Sequence, residues 1–167
     1  LPASADIAMV AAEFNLQEEH PADAIREAEA FRLDPKQALS DGFRVDLRHI
    51  PFITIDGETA RDFDDAVWVD RLDNGHWALH VHIADVSHYV LPGSPIDSEA
   101  RLRGTSVYFP DRAVPMLPHQ LSTNICSLMP QQDRLVMSAL IEFDHTGEPV
   151  SQTFCRGVIR SAERMTY

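Results

Sequence analysis

"DAVWVDRLDNGHWALHVHIADV", residues 65–86, holds a strand-length run on each side of Asn74-Gly75, and the second alternates apolar and polar side chains from Leu79 to Ile83. Strict alternation is the signature of a strand with one buried face, so the stretch reads as a β-hairpin. Asn-Gly supplies the positive φ values of a two-residue type I′ turn. On the second strand Trp77, Leu79, Val81 and Ile83 project to one side, and His76, His80 and His82 to the other. The apolar row is the expected core face, which leaves His80 and His82 on a solvent-facing polar stripe and not as a metal pair.

A second hairpin is expected further on, where "RLVMSALIEFD" (134–144) and "PVSQTFCRGVIRSA" (149–162) flank "HTGE". Upstream, "PFITID" (51–56) is an apolar run of strand length. Helical spacing marks "HPADAIREAEAF" (20–31), with Ala22, Ile25, Ala28 and Phe31 on one face. Asp34-Pro35 restarts a short helix, "PKQALSDG", that Gly42 closes. "SPIDSEARLRG" (94–104) reads as a helix capped by Ser94 or Asp97. The Pro-rich "VYFPDRAVPMLPHQLSTNICSL" (107–128) reads as a loop and a short helix. Strands and helices without regular βαβ alternation predict an α+β fold: a mainly antiparallel sheet with flanking helices. Residues 1–45 form a helical lead-in and 46–167 the body.

The chain has 167 residues, enough for one packed core. No apolar run reaches the length of a membrane span. The chain begins at Leu1, not Met, as expected of a proteolytic or designed start, and "LPASADIAMVAAEFN" lacks the basic region of a signal peptide. Cys126 and Cys155 have no zinc-site spacing, so two buried, reduced thiols in a cytoplasmic protein are expected. A net charge of -12 argues against a surface built to grip a polyanion. Of the 26 acids, 15 fall in the first 65 residues, which makes that part strongly acidic.

Five of those acids, Asp56, Glu58, Asp62, Asp64 and Asp65, crowd into "DGETARDFDD" between two apolar segments. Two unit charges about 5 Å apart repel by roughly 3 kcal/mol at an effective dielectric of about 20. Either the acids fan into solvent as turn and cap residues, or a cation sits among them. Asp56 follows directly on a strand, and Asp62 and Asp64 flank Phe63 so that extended backbone turns both carboxylates one way. An all-oxygen set suits Mg²⁺ or Mn²⁺. The spacing does not fit an EF-hand loop.

"TIDGETARDFDDAV", "HIADVSHYV", "RLRGTSVYFP", "VPMLPHQLSTNICSL" and "DRLVMSALIEF" occur in this order. Together they resemble the ribonuclease II/ribonuclease R (RNB) family of 3′→5′ exoribonucleases over roughly residues 46–167. The resemblance implies the N-terminal portion of an RNB catalytic domain. It also implies processive, Mg²⁺-dependent hydrolysis of single-stranded RNA from its 3′ end, with release of nucleoside 5′-monophosphates. Position by position, the family's four aspartates fall on Asp56, Asp62, Asp64 and Asp65. Asp56 and Asp65 are the expected direct metal ligands; Asp62 and Asp64 complete the shell or position the attacking water. Tyr108 matches the tyrosine that stacks on the 3′-terminal nucleotide, and Tyr167 a tyrosine near the ribose end of the substrate.

Arg101, Arg103 and Arg112 flank the Tyr108 loop, within reach of a phosphate, although surface arginines with acidic neighbours are the default reading. The family's β-barrel RNA-binding modules and S1 module are expected outside this segment. So are a further acid and an arginine of the centre, so the segment alone is expected to be inactive. Two alternatives stand beside this reading. One is an RNB-like RNA-binding or scaffold domain without catalysis. The other is a haloacid-dehalogenase-type phosphohydrolase, in which Asp56 would be the nucleophile and a parallel βαβ pattern would be required.

Overall fold

The computed structural model describes residues 3–167, so Leu1, and with it the expectation about the chain's start, lies outside the described residues. Four α-helices are described: α1 (Ala3–Glu13), α2 (Ala22–Ala30), α3 (Pro35–Ser40) and α4 (Pro95–Arg103). The first four strands are β1 (Arg44–Asp46), β2 (Ile53–Asp56), β3 (Asp65–Arg71) and β4 (Trp77–Ala84). Then come β5 (Val107–Tyr108), β6 (Ala113–Val114), β7 (Asp133–Phe143), β8 (Pro149–Arg160) and β9 (Glu163–Thr166). The chain forms two compact units. One comprises the residues up to Phe31 with Val90–Ser122, and the other comprises Arg32–Tyr89 with Thr123–Tyr167.

In the first unit α2 buries Ala24 and Ala28, and it packs on α4, which buries Ile96. Small residues on α2 permit the close approach, and Glu27 on that helix accepts the backbone N–H of Ile96 at 2.9 Å. Ser94 caps α4 by accepting the Asp97 N–H, and Gly104 ends it at φ 73°. The Pro-rich stretch contains a two-residue-per-strand ladder, Val107↔Val114 and Tyr108↔Ala113, that the sequence did not announce. Its expected short helix is a π-helical turn, Leu121–Ile125.

The second unit is a seven-stranded sheet in the order β1-β8-β7-β4-β3-β2-β9. The inner pairs are antiparallel; both edge pairs, β1 with β8 and β2 with β9, are parallel. An α+β fold with a mainly antiparallel sheet is what the alternation predicted. The parallel pairs do not form the βαβ series that a haloacid-dehalogenase fold requires. At Gly157 of β8 an added Cβ would meet Leu47 Cδ1 at 3.0 Å, so a larger residue there would require the Leu47 side chain to shift.

Two expectations about the β3–β4 hairpin are corrected. The turn is not type I′, because Asn74 does not take positive φ; only Gly75 does, at 84°. Gly75 N–H donates to Leu72 O and Leu72 N–H to His76 O, which is a type I turn closed by a glycine bulge. The buried face is also the opposite one. Ala78, His82 and Ala84 are buried, and His80 is half-buried, while Trp77 and Ile83 are exposed. Phe52 explains the inversion: its ring lies 4.0 Å from that of His82 and 6.4 Å from that of His80, covering the histidine face. Cys126 is buried as expected, whereas Cys155 is only half-buried; both are free thiols.

The uncovered face of the sheet is apolar. The register places Ile55, Val69, Trp77, Ile83, Met137 and Phe154 on it, all exposed, Phe154 at 68%. Among the described residues no helix is long and apolar enough to cross a membrane.

Candidate active site

β2 runs into the acidic loop and β3 runs out of it, so Asp56 is the last residue of one strand and Asp65 the first of its neighbour. The loop between them is held at its exit by Ser127. The Ser127 hydroxyl accepts the Phe63 N–H at 3.1 Å and donates to Arg61 O at 2.9 Å. Leu128 N–H adds a bond to Phe63 O, and Ala84 N–H one to Asp64 O. Phe63 is thereby buried, with Asp62 half-buried and Asp64 exposed on either side of it, the alternation that an extended segment requires.

The entry of the loop is held from β9. Parallel pairing sets Thr54 opposite Arg164 and Asp56 opposite Thr166. Arg164 Nη2 donates to Gly57 O at 3.0 Å and to Glu58 O at 2.5 Å. Its guanidinium carbon lies 5.1 Å from the centre of the Phe63 ring.

Asp56 is the perturbed acid. Burial raises its pKa above the usual carboxylate value, and the charges of Asp65, Asp64 and Asp62 raise it further; Arg164 acts the other way. Its Oδ2 is buried and lacks a hydrogen-bond partner within the chain. Such an oxygen is costly unless something else binds it. Among the described residues, however, no three His, Cys, Asp or Glu side chains gather into a metal-holding group. The register shows why: Asp56 shares a face with Thr54, whereas Asp65 pairs with Ile83 on the other face. The charge of Asp65 nonetheless acts on Asp56. Mg²⁺ does not need an all-protein cage, since it is held by one or two carboxylates with water and phosphate. The donor chemistry and the orphaned oxygen therefore fit a hard divalent ion.

Tyr167 directly follows Thr166, the residue paired with Asp56, and is 95% exposed. Tyr108 belongs to the other unit, where it ends β5 and is exposed. The arginines beside it have acidic partners as expected: Arg101 with Asp97, Arg103 with Glu99, and Arg112 with Glu18 and Asp111. Sequence reasoning missed Ser127 and Arg164, whose contacts reach loop residues 64 to 107 positions away, a range that no local pattern encodes.

A family model described as the RNB domain matches residues 44–167. Ribonuclease R of Thermotoga maritima is 48% identical over 168 residues, covering 98% of this chain and 23% of that protein. The solved structure of Mycoplasma genitalium RNase R in complex with ribose methylated single-stranded RNA superposes with a TM-score of 0.90. Its identity is 35%, over 97% of this chain and 25% of that one. Yeast Ssd1, described as a pseudonuclease, shares the fold at a TM-score of 0.71 and 21% identity, over 81% of this chain and 17% of that one. The chain thus spans about a quarter, 23% and 25%, of the ribonuclease R chains it matches. With the family model covering most of its length and the acidic loop in place at the end of β2, this chain belongs to the ribonuclease II/ribonuclease R (RNB) family.

Proposed function

We propose that this chain supplies the acidic, N-terminal portion of a 3′→5′ exoribonuclease centre that hydrolyses single-stranded RNA to nucleoside 5′-monophosphates. The observation that supports this reading best is the buried, partnerless Oδ2 of Asp56 beside the charges of Asp62, Asp64 and Asp65. Asp56 and Asp65 would hold Mg²⁺, with Mn²⁺ as a substitute; Asp62 and Asp64 would complete the shell or orient water. When bound, the metal polarises the phosphodiester and lowers the pKa of the attacking water. Water oxygen bonds to phosphorus, the bond from phosphorus to the 3′ oxygen of the preceding nucleotide breaks, and that oxygen takes up a proton. Tyr108 and Tyr167 would contact the 3′-terminal nucleotides by stacking, which tolerates any base.

The isolated segment is expected to be inactive. Its open apolar sheet face calls for cover from the rest of the protein, and the basic RNA-gripping surface is not found in a chain of net charge -12. RNA-binding β-barrel and S1 modules would belong to those other parts. We also propose a cytoplasmic location, which the free thiols Cys126 and Cys155 support.

A second reading, an RNA-binding scaffold without catalysis, draws on the absence of a three-ligand cage among the described residues and on the pseudonuclease that shares the fold. Full-length protein carrying Asp64→Asn separates the two. Hydrolysis by wild type in Mg²⁺, with RNA binding but no hydrolysis by the variant, establishes the nuclease reading. Wild type that binds RNA and releases no mononucleotide in Mg²⁺ or Mn²⁺ establishes the scaffold.

A further inference from the structure

The acidic loop is pinned by two different devices. At its exit, uncharged contacts from Ser127 and Leu128 fix Arg61 and Phe63, and the Ala84 N–H fixes Asp64. At its entry, Gly57 and Glu58 bond outside the loop through their carbonyls, and the donor to both is Arg164. The one bond within the loop at this point, Ala60 N–H to Gly57 O at 3.0 Å, closes a turn and does not attach it to the sheet. Crowded carboxylates on either side push the entry outward, because like charges repel.

We propose that Arg164 is a positioning residue for the metal-binding acids, an inference that rests on the nuclease reading above. One planar guanidinium touches both ends of the loop. Nη2 bridges the Gly57 and Glu58 carbonyls, directly after Asp56, while the guanidinium lies over Phe63, between Asp62 and Asp64. It therefore fixes the distance between the acid on β2 and the acids ahead of β3. A lysine ammonium could donate to the same two carbonyls, but it has no flat face to lay over Phe63 at the same time. Arg164 sits on β9 and reaches the loop only because β9 lies parallel to β2, with Thr54 opposite it. Its contacts are with the loop, and through the loop it acts on Asp56, Asp62 and Asp64.

The test uses full-length protein stripped of metal, titrated with Mn²⁺ and followed by the electron paramagnetic resonance signal of the free ion. Removing a group that orients metal ligands costs on the order of tenfold in metal affinity or activity. Arg164→Gln is expected to weaken Mn²⁺ binding about tenfold and to lower kcat on single-stranded RNA with KM for RNA unchanged. Arg164→Lys is expected to fall between the two. Merely structural damage would instead move the Tm and weaken RNA binding in EDTA. Equal Mn²⁺ affinity in wild type and Arg164→Gln overturns the proposal. If the Gln variant does not fold, the Lys variant decides: about threefold weaker Mn²⁺ binding supports it, and wild-type affinity overturns it. Asp56→Asn keeps the parent reading separate. If wild type and Asp56→Asn bind Mn²⁺ alike, the metal site itself is refuted, whatever Arg164 does.

Discussion

His82 gives the sharpest handle on how the sheet is built. The residue is completely buried, at 0% exposure. Its Nδ1 shares a hydrogen bond of 2.7 Å with Ser138 Oγ, and its Nε2 is buried without a partner. Burial, with a smaller contribution from the nearby His80, lowers its pKa from 6.5 to about 4. An unfolded chain takes up this proton near pH 6.5 and the folded one only near pH 4, so the unfolded state binds more protons in that window. Stability is therefore full above pH 6.5 and is lost as pH falls towards 4. At about 1.4 kcal/mol per unit the full loss is about 3 kcal/mol, and about 2 kcal/mol of it is present by pH 5. His80 and His88, also lowered by burial, act in the same direction, so the measurement must be a difference. Urea unfolding of wild type and His82→Gln from pH 7.5 to 5 should show the wild type losing about 2 kcal/mol more than the variant. Parallel pH profiles, or a His82 ring that titrates near 6.5 by NMR, would refute the inverted sheet face.

The acidic loop yields further expectations. Burial and neighbouring acids raise the pKa of Asp56, so its ionised form burdens the metal-free fold. That burden is absent below the unfolded value of 3.8 and grows as pH rises through the folded value. Metal-free Asp56→Asn should be more stable than wild type at pH 7, on the order of 1 kcal/mol by chemical denaturation, and equal to it below pH 3.8. Ser127→Ala leaves the Phe63 N–H and the Arg61 carbonyl without their partner and should cost about 1–3 kcal/mol in urea unfolding; no loss would show that the loop is anchored elsewhere. Phe154→Lys with Met137→Lys should keep the isolated chain monomeric in sedimentation at concentrations where the wild type associates through its open apolar face.

How much of this was readable in advance depended on range. The two hairpins were, because alternation and Gly75 act over a few residues. Which face is buried was not: a period of two separates His82 from Ile83 but does not say that Phe52 will cover the histidines. Strands β1 and β9 were invisible for a related reason. Each has three or four residues, too few to show a period, and each exists only through partners about 110 residues away: Arg44 opposite Arg156, and Ile53 opposite Glu163. The four aspartates stood out as an anomaly of charge. The groups that shape their loop, Arg164 and Ser127, are ordinary residues made special by strand order.

The open sheet face and the absence of a three-ligand group among the described residues are consequences of one arrangement. Asp65 stands in a cross-strand row with Ile83 and Met137, both exposed on the uncovered face. Any part of the full-length protein that covers Ile83 and Met137 also meets Asp65 and takes water from it. A carboxylate losing water beside Asp56 gains more from a shared cation, because attraction strengthens as the local dielectric falls. Mn²⁺ should therefore bind the isolated 167 residues more weakly than the full-length protein, by on the order of tenfold, or about 1.4 kcal/mol. Equal affinity in a direct Mn²⁺ titration of the two would mean that the acids reach their working geometry within this segment, and that covering the apolar face serves stability alone.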